Sequence, residues 1–209
     1  EIHERLVGSE MCIRDRVQTA QILLSPDDTE TRRKHLNART TMVALLQLNA
    51  VPVVNENDTV ATAEIRFGDN DRLAARVAAM IGADLLVLLS DVDGLYTANP
   101  NGDNSATHIG EIAQITPEIM AMAGPANAAY ASGGMVTKLE AARIATSAGC
   151  QMIICNGQSP APLSRLEAGA KCTIFAATLS PHTARKQWIA GALTPKGTIR
   201  IDDGAARAL

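Results

Sequence analysis

Short apolar runs alternate with longer segments of helical periodicity over most of the chain. Three such runs, rich in Val, Ile and Leu, are residues 51–54, 85–89 and 152–155. Asn49, Gly82 or Gly149 stands shortly before each run, and Gly or Asn supplies the left-handed residue that ends a helix. Short apolar runs of this kind fit strands that are buried on both faces. The alternation therefore predicts an α/β domain in which a mainly parallel sheet carries helices on its faces.

The remaining elements are predicted from the same patterns. Residues 17–24 form a candidate strand that ends at the turn-forming and helix-capping residues 25–28, and residues 29–48 show helical spacing. Another helix is predicted from residues 131–138 to Gly149, and a short helical piece at residues 117–123 lies in an irregular excursion between residues 103 and 131. Residues 156–160 predict a turn, residues 169–175 a loop leading into a strand, and residues 185–189 and 197–201 a strand pair.

A polar stretch at residues 53–73 begins at the end of one predicted strand and closes where a helical pattern starts. It holds two clusters of acids and amides, residues 55–58 and 68–71. Asn55, Asp58, Asn70 and Asp71 would then gather at the carboxyl edge of the sheet, where α/β proteins bind ligands. The same residue types favour turns for local reasons, and Asn70 and Asp71 equally suit a helix start. Turn formation, capping and ligand binding all stay open here.

Ser90 and Asp91 follow the apolar run 85–89 directly, and Tyr96 comes shortly afterwards. One interpretation is a strand followed by tight turns. The other is a nucleotide-binding loop in which Ser90 and Asp91 face the ligand and Tyr96 lies against its base. Like Asn55, Ser90 and Asn156 fall directly after predicted strands, at the edge that α/β proteins use for ligands.

A glycine-rich loop opens the helix predicted before Gly149. Its residues are Ser132, Gly133, Gly134, Met135, Val136, Thr137 and Lys138. Free N–H groups at a helix start bind anions, and the helix dipole favours negative charge there. Lys138 adds a full positive charge within about one turn. The spacing differs from that of a P-loop, in which Lys directly follows the second Gly of the motif.

The composition limits both the core and the partners. Hydrophobic residues make up 46% of the 209 residues but aromatic residues only 2%, so the core must consist of Ala, Val, Leu, Ile and Met. The net charge of −3 and the pI near 5.8 differ from the basic footprint of nucleic-acid-binding proteins. No apolar run reaches the roughly 18 residues that a membrane span needs. We therefore expect neither a nucleic-acid nor a membrane partner.

The cysteines and histidines indicate neither a metal site nor a disulfide framework. Cys12, Cys150, Cys155 and Cys172 lack the paired spacing of a zinc site and the density of a disulfide scaffold. Cys150 and Cys155 lie beside or within apolar runs, so we expect buried free thiols rather than a redox pair. The four histidines form no pair at metal-ligand spacing. Free thiols fit a reducing compartment, and we expect a cytoplasmic protein.

Residues 1–16 differ from the rest of the chain. They show neither the charged start, apolar middle and small-residue end of a signal peptide nor a clear helix or strand face. We expect them to be a non-native leader and residues 17–209 to form the domain.

Taken in order, the motifs of residues 17–209 resemble a known family. Leu-Asn-Ala-Arg at residues 36–39 precedes V-P-V-V-N-E-N-D, A-T-A-E-I and G-D-N-D, and then S-D-V-D-G-L-Y-T-A-N-P and S-G-G-M-V-T-K. This order is similar to the glutamate 5-kinase branch of the amino acid kinase family, and the pairing of N-E-N-D with G-D-N-D is specific to that branch. The resemblance implies the amino acid kinase fold, a three-layer α/β/α sandwich with a mainly parallel sheet.

The resemblance also implies an activity. Members of this branch transfer a phosphoryl group from ATP, with Mg²⁺, to the side-chain carboxylate of L-glutamate in the first step of proline biosynthesis, with proline as a feedback inhibitor. That carboxylate is already ionised at neutral pH because its pKa is about 4.3, so the reaction needs no general base. The sequence agrees, since it shows no His or Cys arrangement typical of nucleophilic catalysis.

The resemblance assigns roles to residues by position. Asp58, Asn70 and Asn55 would bind glutamate, with Asp58 contacting its ammonium group. Ser90, Asp91 and the loop at residues 132–138 would bind ATP. Lys138 would lie against the phosphates and Asp71 would orient the cationic groups there, which makes these two the candidate catalytic residues.

The chain departs from the family pattern at both ends. The family carries a strand with a glycine and lysine motif and a Ser-Gly-Ala loop near its N-terminus, and residues 1–16 stand where these should join. The C-terminal PUA domain of many bacterial members is also not seen. We therefore expect a partial kinase domain, incomplete at the N-terminus, with little or no turnover alone, because losing positioned phosphate-binding groups costs orders of magnitude in rate. We expect the intact protein to form homo-oligomers.

Two alternatives stay open. Another member of the family, such as a uridylate, aspartate or carbamate kinase, would share the nucleotide half of the site. A non-catalytic regulatory module would bind glutamate or proline without phosphorylating either.

Overall fold

The computed structural model describes residues 17–57, 70–100, 102, 105–123, 134–177, 179 and 183. The strands are β1 (Thr19–Leu24), β2 (Val51–Glu56), β3 (Leu85–Ser90), β4 (Leu95–Tyr96), β5 (His108–Ile109), β6 (Glu111–Ile112), β7 (Gln151–Asn156) and β8 (Cys172–Phe175). The helices are α1 (Pro26–Glu30), α2 (Arg32–Gln47), α3 (Asn70–Ile81), α4 (Pro117–Met122), α5 (Met135–Ser147) and α6 (Pro162–Glu167).

The longer strands of the described residues form two sheets. β1 and β2 pair in parallel, and the second sheet has the strand order β3-β7-β8-β6. Within it, β3 runs parallel to β7 and β6 parallel to β8, while β7 and β8 are antiparallel. The short strands β4 and β5 form a separate antiparallel pair. The mainly parallel pairing agrees with the prediction.

Helices α3 and α5 pack on each other above β3 and β7. Small side chains from both helices lie in this core, namely Ala75 and Ala78 of α3 and Ala142 and Ala145 of α5, and side chains of this size let two helices approach closely. The same core contains larger side chains, among them Leu88, Leu139, Met152, Ile154 and Phe175. It is therefore built largely from the aliphatic residue types that the composition predicted.

A smaller core joins α3 to the other sheet. It consists of Leu24, Met42, Leu73 and Met80, so that α2 and β1 also contribute to it. Helix α3 takes part in both cores because its apolar residues cover two adjoining faces. It is thus the element that connects the two sheets.

The residues predicted to end helices do so in the left-handed conformation. The φ angle is 56° at Asn49, 71° at Gly82 and 82° at Gly149. Each residue reverses the chain so that the next strand, β2, β3 or β7, begins within three residues. A local sequence signal thereby fixes the direction of the three central strands.

Several predicted elements are confirmed and two predictions are incomplete. The strands predicted at residues 17–24, 51–54, 85–89 and 152–155 and the helix before Gly149 all form. The predicted turn at residues 156–160 is followed by the missed helix α6, which is too short for its periodicity to be visible. The excursion between residues 103 and 131 also holds β5 and β6. Residues 1–16, 185–189 and 197–201 lie outside the described residues.

Thr173 is a buried polar residue that joins three strands. Its hydroxyl accepts a hydrogen bond from the Leu95 backbone N–H of β4 at 2.7 Å and donates one to the Ile109 carbonyl of β5 at 2.6 Å. Thr173 itself belongs to β8 and is fully buried. A single hydroxyl therefore attaches the small β4–β5 pair to the main sheet.

We predict that Thr173→Val lowers the free energy of unfolding by about 1–3 kcal/mol, because two buried polar groups lose this partner. Thr173→Ser is the matched control, since it keeps the hydroxyl and loses one methyl group, which costs about 1 kcal/mol. Urea denaturation of the three proteins measures the difference. If Thr173→Val unfolds with the same free energy as the unaltered chain, the hydroxyl contributes nothing to stability.

Both predicted buried thiols are confirmed. Cys150 and Cys155 are buried and free, and Cys172 is free and partly buried; Cys12 lies outside the described residues. Burial, and after it the nearby Asp84 carboxylate, raises the pKa of the Cys150 thiol to about 11.

Among the helices of the described residues, none is long and apolar enough to cross a membrane.

We predict that Cys150 resists alkylation at neutral pH, because the thiolate is the nucleophile and the folded protein holds its pKa at about 11. The rate for the folded protein should rise with pH until that value is reached, whereas the urea-unfolded chain should react fast from about pH 8.5 upward. Peptide mapping after timed iodoacetamide treatment measures both profiles. A folded-state rate that levels off near pH 8.5 would contradict this prediction.

Candidate active site

Two helices begin at the same edge of the structure and bring a carboxylate and an ammonium together. The Lys138 Nζ atom of α5 lies 3.1 Å from Asp71 Oδ2 of α3. Only 8% of the Lys138 side chain and 19% of the Asp71 side chain are exposed. The Thr137 hydroxyl donates to the Gly134 carbonyl at 2.7 Å, and its oxygen lies 3.3 Å from the same Asp71 oxygen. The structure thus brings Asp71 and Lys138, two of the residues singled out in the sequence, into direct contact.

The local sequence explains why these groups meet. Helix α3 begins at Asn70, so Asp71 lies in the first turn, where a negative charge is favoured. Helix α5 begins at Met135 with Gly134 as its N-cap, so its first N–H groups and Lys138 share one end of the helix. A helix that precedes a parallel strand starts at the carboxyl edge of the sheet. Both helices therefore present their first turns at the predicted ligand edge.

A second ion pair holds the two helices in register. Arg72 Nε donates to Glu140 Oε2 at 2.7 Å, and Arg72 Nη2 contacts the same oxygen. Arg72 follows Asp71 directly and Glu140 lies two residues after Lys138. Because two nitrogens of the Arg72 guanidinium contact one Glu140 oxygen, this ion pair fixes α3 relative to α5 beside the Asp71–Lys138 pair.

The ends of β3 and β7 form the adjacent part of the edge. Ser90 and Asn156 are register partners, and the Gly157 N–H donates to the Ser90 carbonyl at 2.7 Å. A Cβ atom at Gly157 would lie 2.8 Å from Leu89 Cβ, so only glycine permits this approach. The Ser90 hydroxyl donates to Asp91 Oδ1 at 2.9 Å. The sequence predicted Ser90 and Asp91 here, and both lie at the strand end.

Beside these strand ends lies a polar cleft of about 220 Å³. Its lining residues include Asp93, Asn156, Ser159, Arg165 and Lys171. Two cationic side chains, Arg165 and Lys171, therefore face one small cavity at the carboxyl edge of β7. This cleft is large enough for part of a ligand the size of a nucleotide.

Tyr96 supports one wall of the cleft. Lys171 Nζ donates to the Tyr96 hydroxyl at 2.7 Å, and that hydroxyl donates to Asp93 Oδ1 at 3.0 Å. Lys171 Nζ also lies 3.5 Å from Asp93 Oδ2 and 4.7 Å from the centre of the Tyr96 ring. The bond to Tyr96, and then the charge of Asp93, raise the pKa of the Lys171 ammonium. Lys171 thus stays charged across the neutral range.

Sequence reasoning missed Lys171, Arg165 and Asp93. Lys171 meets Tyr96 across 75 positions of sequence, and no local pattern reveals such a contact. One signal in the sequence could have helped, namely the polar run at residues 156–160 after β7. The sequence analysis had already placed Asn156, its first residue, at the ligand edge. A basic residue shortly before the next strand could have been assigned to the same edge.

The predicted glutamate residues are described only in part. Asn55 at the end of β2 and Asn70 at the start of α3 line one groove of about 440 Å³, so the structure brings these two together. Gly134, Met135, Val136, Thr137 and Lys138 form the start of α5. Asp58, Ser132 and Gly133 lie outside the described residues.

Comparison with known proteins identifies the family. Residues 6–156 match the amino acid kinase family. The chain belongs to this family. It is 61% identical over 193 residues to the glutamate 5-kinase of Paramagnetospirillum magneticum and 63% identical over 190 residues to that of Gluconobacter oxydans. These alignments cover 92% and 91% of this chain but 52% and 50% of the relatives, so the chain spans about half the length of the curated relatives it matches.

Solved structures confirm the amino acid kinase fold. The UMP kinase from Ureaplasma parvum superposes with a TM-score of 0.55 at 17% identity, covering 84% of this chain and 67% of its own. The isopentenyl phosphate kinase from T. acidophilum superposes with a TM-score of 0.56 at 15% identity, covering 83% of this chain and 66% of its own. At such low identity the likeness shows the fold alone, which is the predicted α/β architecture with a mainly parallel sheet.

We predict that Lys138→Met lowers the free energy of unfolding by about 1–3 kcal/mol. Breaking a fully buried pair costs about 3–5 kcal/mol, and the loss is smaller here because part of the Asp71 side chain is exposed. The exposed pair of Arg76 and Glu30, 2.9 Å apart, provides the control, since Glu30→Gln should cost less than about 1 kcal/mol. Chemical denaturation measures both variants. A loss for Lys138→Met no larger than that for Glu30→Gln would contradict the structural role of the pair.

Proposed function

We propose that this chain forms part of an ATP-dependent kinase, with groups for both ATP and glutamate, that phosphorylates the side-chain carboxylate of L-glutamate in the first step of proline biosynthesis. The observation that carries the proposal is the Asp71–Lys138 pair at the start of two helices, in a chain 61% identical to a curated glutamate 5-kinase. The motifs that contribute these two residues are the ones that resemble the glutamate 5-kinase branch.

The start of α5 suits the phosphates of ATP. Its first N–H groups favour an anion, and Lys138 adds a positive charge that Asp71 holds in place. Lys138 is already desolvated, so its attraction for a phosphate oxygen is stronger than that of an exposed lysine. The sequence-based assignment of residues 132–138 to ATP therefore agrees with the charge and the helix start at the described residues 134–138.

The polar cleft suits the rest of the nucleotide. Lys171 and Arg165 are cationic, Asn156 and Ser159 offer further hydrogen-bonding groups, and Ser90 and Asp91 lie at the neighbouring strand end. The sequence-based hypothesis placed Tyr96 against the base. The structure supports a related role, in which Tyr96 positions Lys171 and Asp93 in the wall of the cleft.

The reaction requires positioning and charge neutralisation rather than proton transfer. A carboxylate oxygen of glutamate would attack the γ-phosphorus of ATP, the bond from that phosphorus to the bridging oxygen would break, and glutamyl 5-phosphate and ADP would leave. The negative charge spreads over the transferred oxygens in the transition state. Lys138 and the α5 N–H groups would stabilise that charge, and this electrostatic effect is usually the largest single contribution to catalysis.

Mg²⁺ would enter with the nucleotide. Among the residues that the structure describes, no three His, Cys, Asp or Glu side chains cluster as a metal site. In kinases Mg²⁺ is held by substrate phosphates and only one or two carboxylates, and Asp71 and Asp91 are acidic groups at this edge. The ion would neutralise phosphate charge.

Glutamate would bind at the polar end of the groove lined by Asn55 and Asn70. Asp58, three residues after Asn55, is the candidate partner of its ammonium group. An amide offers both a donor and an acceptor, so Asn70 could bind either end of an amino acid. Proline inhibition and oligomer formation are further parts of this proposal.

We predict that this chain alone binds Mg-ATP but turns over little. Exchanged for the matching 193 residues of the Paramagnetospirillum magneticum relative, it should support glutamate-dependent ADP release, measured in a coupled assay. Lys138→Met in that hybrid should lower kcat by about 100-fold or more, because one positioned charge is worth about 10²–10³ in rate. Lys34→Met provides the control, since Lys34 is half-exposed and pairs with Asp27 instead.

Three results would contradict the proposal. ADP release that depends on UMP, aspartate or carbamate instead of glutamate would indicate another branch of the family. Glutamate or proline binding in isothermal titration, with no effect of Mg-ATP and no turnover of the hybrid, would indicate a regulatory module. Glutamate-dependent turnover that survives Asp58→Ala would show that the glutamate site lies elsewhere.

A further inference from the structure

Two cysteines face each other across the antiparallel strands β7 and β8. Cys155 near the end of β7 and Cys172 at the start of β8 are direct register partners, and both are free thiols. Residues directly opposite each other on antiparallel strands carry their side chains on the same face of the sheet. The register therefore places the two thiols side by side.

The spacing of such a pair suits a covalent bond between the two sulfurs. Opposite residues of an antiparallel ladder have Cα atoms about 4.5 or 5.5 Å apart, and both values lie within the Cα range of disulfides, about 4.4–6.8 Å. Their Cβ atoms are about 4.5–5.5 Å apart, whereas a disulfide needs about 3.5–4.5 Å. Cys172 is the first residue of β8, where a small shift disturbs few ladder hydrogen bonds. The strands can therefore accept the bond with little movement.

The two thiols differ in their access to solvent. Cys155 is only 3% exposed, whereas Cys172 is partly exposed. Cys155 is also one of the residues that line the polar cleft beside β7, as are Asn156, which follows it, and Lys171, which precedes Cys172. A dissolved reagent therefore reaches Cys172 first, at the wall of this cleft, and Cys155 lies beside it.

Burial keeps both thiols protonated near neutral pH. It raises the pKa of the Cys172 thiol, and burial followed by the nearby Cys172 raises the pKa of the Cys155 thiol. Because the thiolate is the nucleophile, these thiols react slowly near neutral pH. The reduced pair also lacks the thiolate stabilisation that makes some disulfides easy to reduce. A bond between these two sulfurs would therefore form slowly and persist.

We propose that Cys155 and Cys172 form an intramolecular disulfide when the folded chain meets a low-molecular-weight disulfide. The Cys172 thiolate attacks one sulfur of the reagent, the S–S bond of the reagent breaks, and one small thiol leaves, so that Cys172 carries a mixed disulfide. The Cys155 thiolate then attacks the Cys172 sulfur and releases the second small thiol. In total the two cysteines lose two electrons and two protons, and the reagent gains them.

Cys150 is the other free thiol of the described residues, and it provides an internal control. It directly precedes β7, at the opposite end of that strand from Cys155, so about 16 Å of strand separate the two. In sequence they are only five positions apart. An unfolded chain would therefore close loops of similar entropy from Cys172 to either residue. A preference for Cys155 is thus a property of the fold.

The test incubates the whole 209-residue chain with 2-hydroxyethyl disulfide, once folded and once in urea. After the remaining thiols are blocked, trypsin cuts between Cys155 and Cys172, and tandem mass spectrometry shows which cysteine is linked to Cys172. In the folded chain we expect at least about 10-fold more linkage from Cys155 than from Cys150, because only Cys155 meets the distance requirement. In urea the two links should agree within about 3-fold.

Two matched variants test the order of the steps. Cys155→Ser should stop the reaction at the mixed disulfide on Cys172, because the second thiolate is absent. Cys150→Ser should form the same cross-link as the unaltered chain. If Cys155→Ser fails to fold, the linkage ratio measured on the unaltered chain still tests the proposal.

Three outcomes would overturn the proposal. The folded chain keeps both thiols free, or it carries mixed disulfides without a cross-link, which would mean that the two sulfurs do not meet. Alternatively, Cys150 is linked to Cys172 as often as Cys155 is, which would mean that the fold does not select the pair. None of these readouts involves a nucleotide or turnover, so the result is independent of the proposed kinase activity.

Discussion

The contact between α3 and α5 determines the geometry of the rest of the structure. Alanines in the core beneath both helices let them lie close together, and the Arg72–Glu140 pair fixes their register. Two groups of opposite charge, Asp71 and Lys138, then meet at the first turns. Larger side chains in place of these alanines would separate the helices, and the ion pair would be lost with them. The chemistry of the edge thus depends on the smallest side chains in the core.

The edge combines two kinds of positive charge with different surroundings. Lys138 is buried against α3, whereas Lys171 is half-exposed and held by Tyr96 and Asp93. Lys138 reaches this edge because α5 packs on α3. Lys171 reaches it because it directly precedes β8, which runs antiparallel to β7. The edge therefore presents one lysine whose side chain is buried and one whose side chain is in contact with water.

The sequence predicted those parts of the structure that depend on local rules. Asn49, Gly82 and Gly149 were identifiable because a left-handed helix end needs such residues, and Asp71 and Lys138 because they stand beside recognisable helix starts. Lys171 and Thr173 were not, since their partners are 75 and 78 residues away and register between strands is a property of the whole sheet. The separation of the two sheets was also hidden, because β2 and β3 have the same pattern that they would have in one sheet.

The difference in exposure between the two lysines has a consequence for ionic strength. Dissolved salt screens charges in contact with water over about 8–10 Å near physiological concentration but reaches buried pairs poorly. Added salt therefore weakens the attraction of Lys171, with 49% of its side chain exposed, for an anion. The attraction of the buried Lys138 for an anion is reduced much less. In concentrated salt the edge would attract anions mainly through α5, and in dilute buffer through both lysines. The anion affinity of the cleft beside β7 should therefore fall with added salt, whereas that of the α5 start should change little.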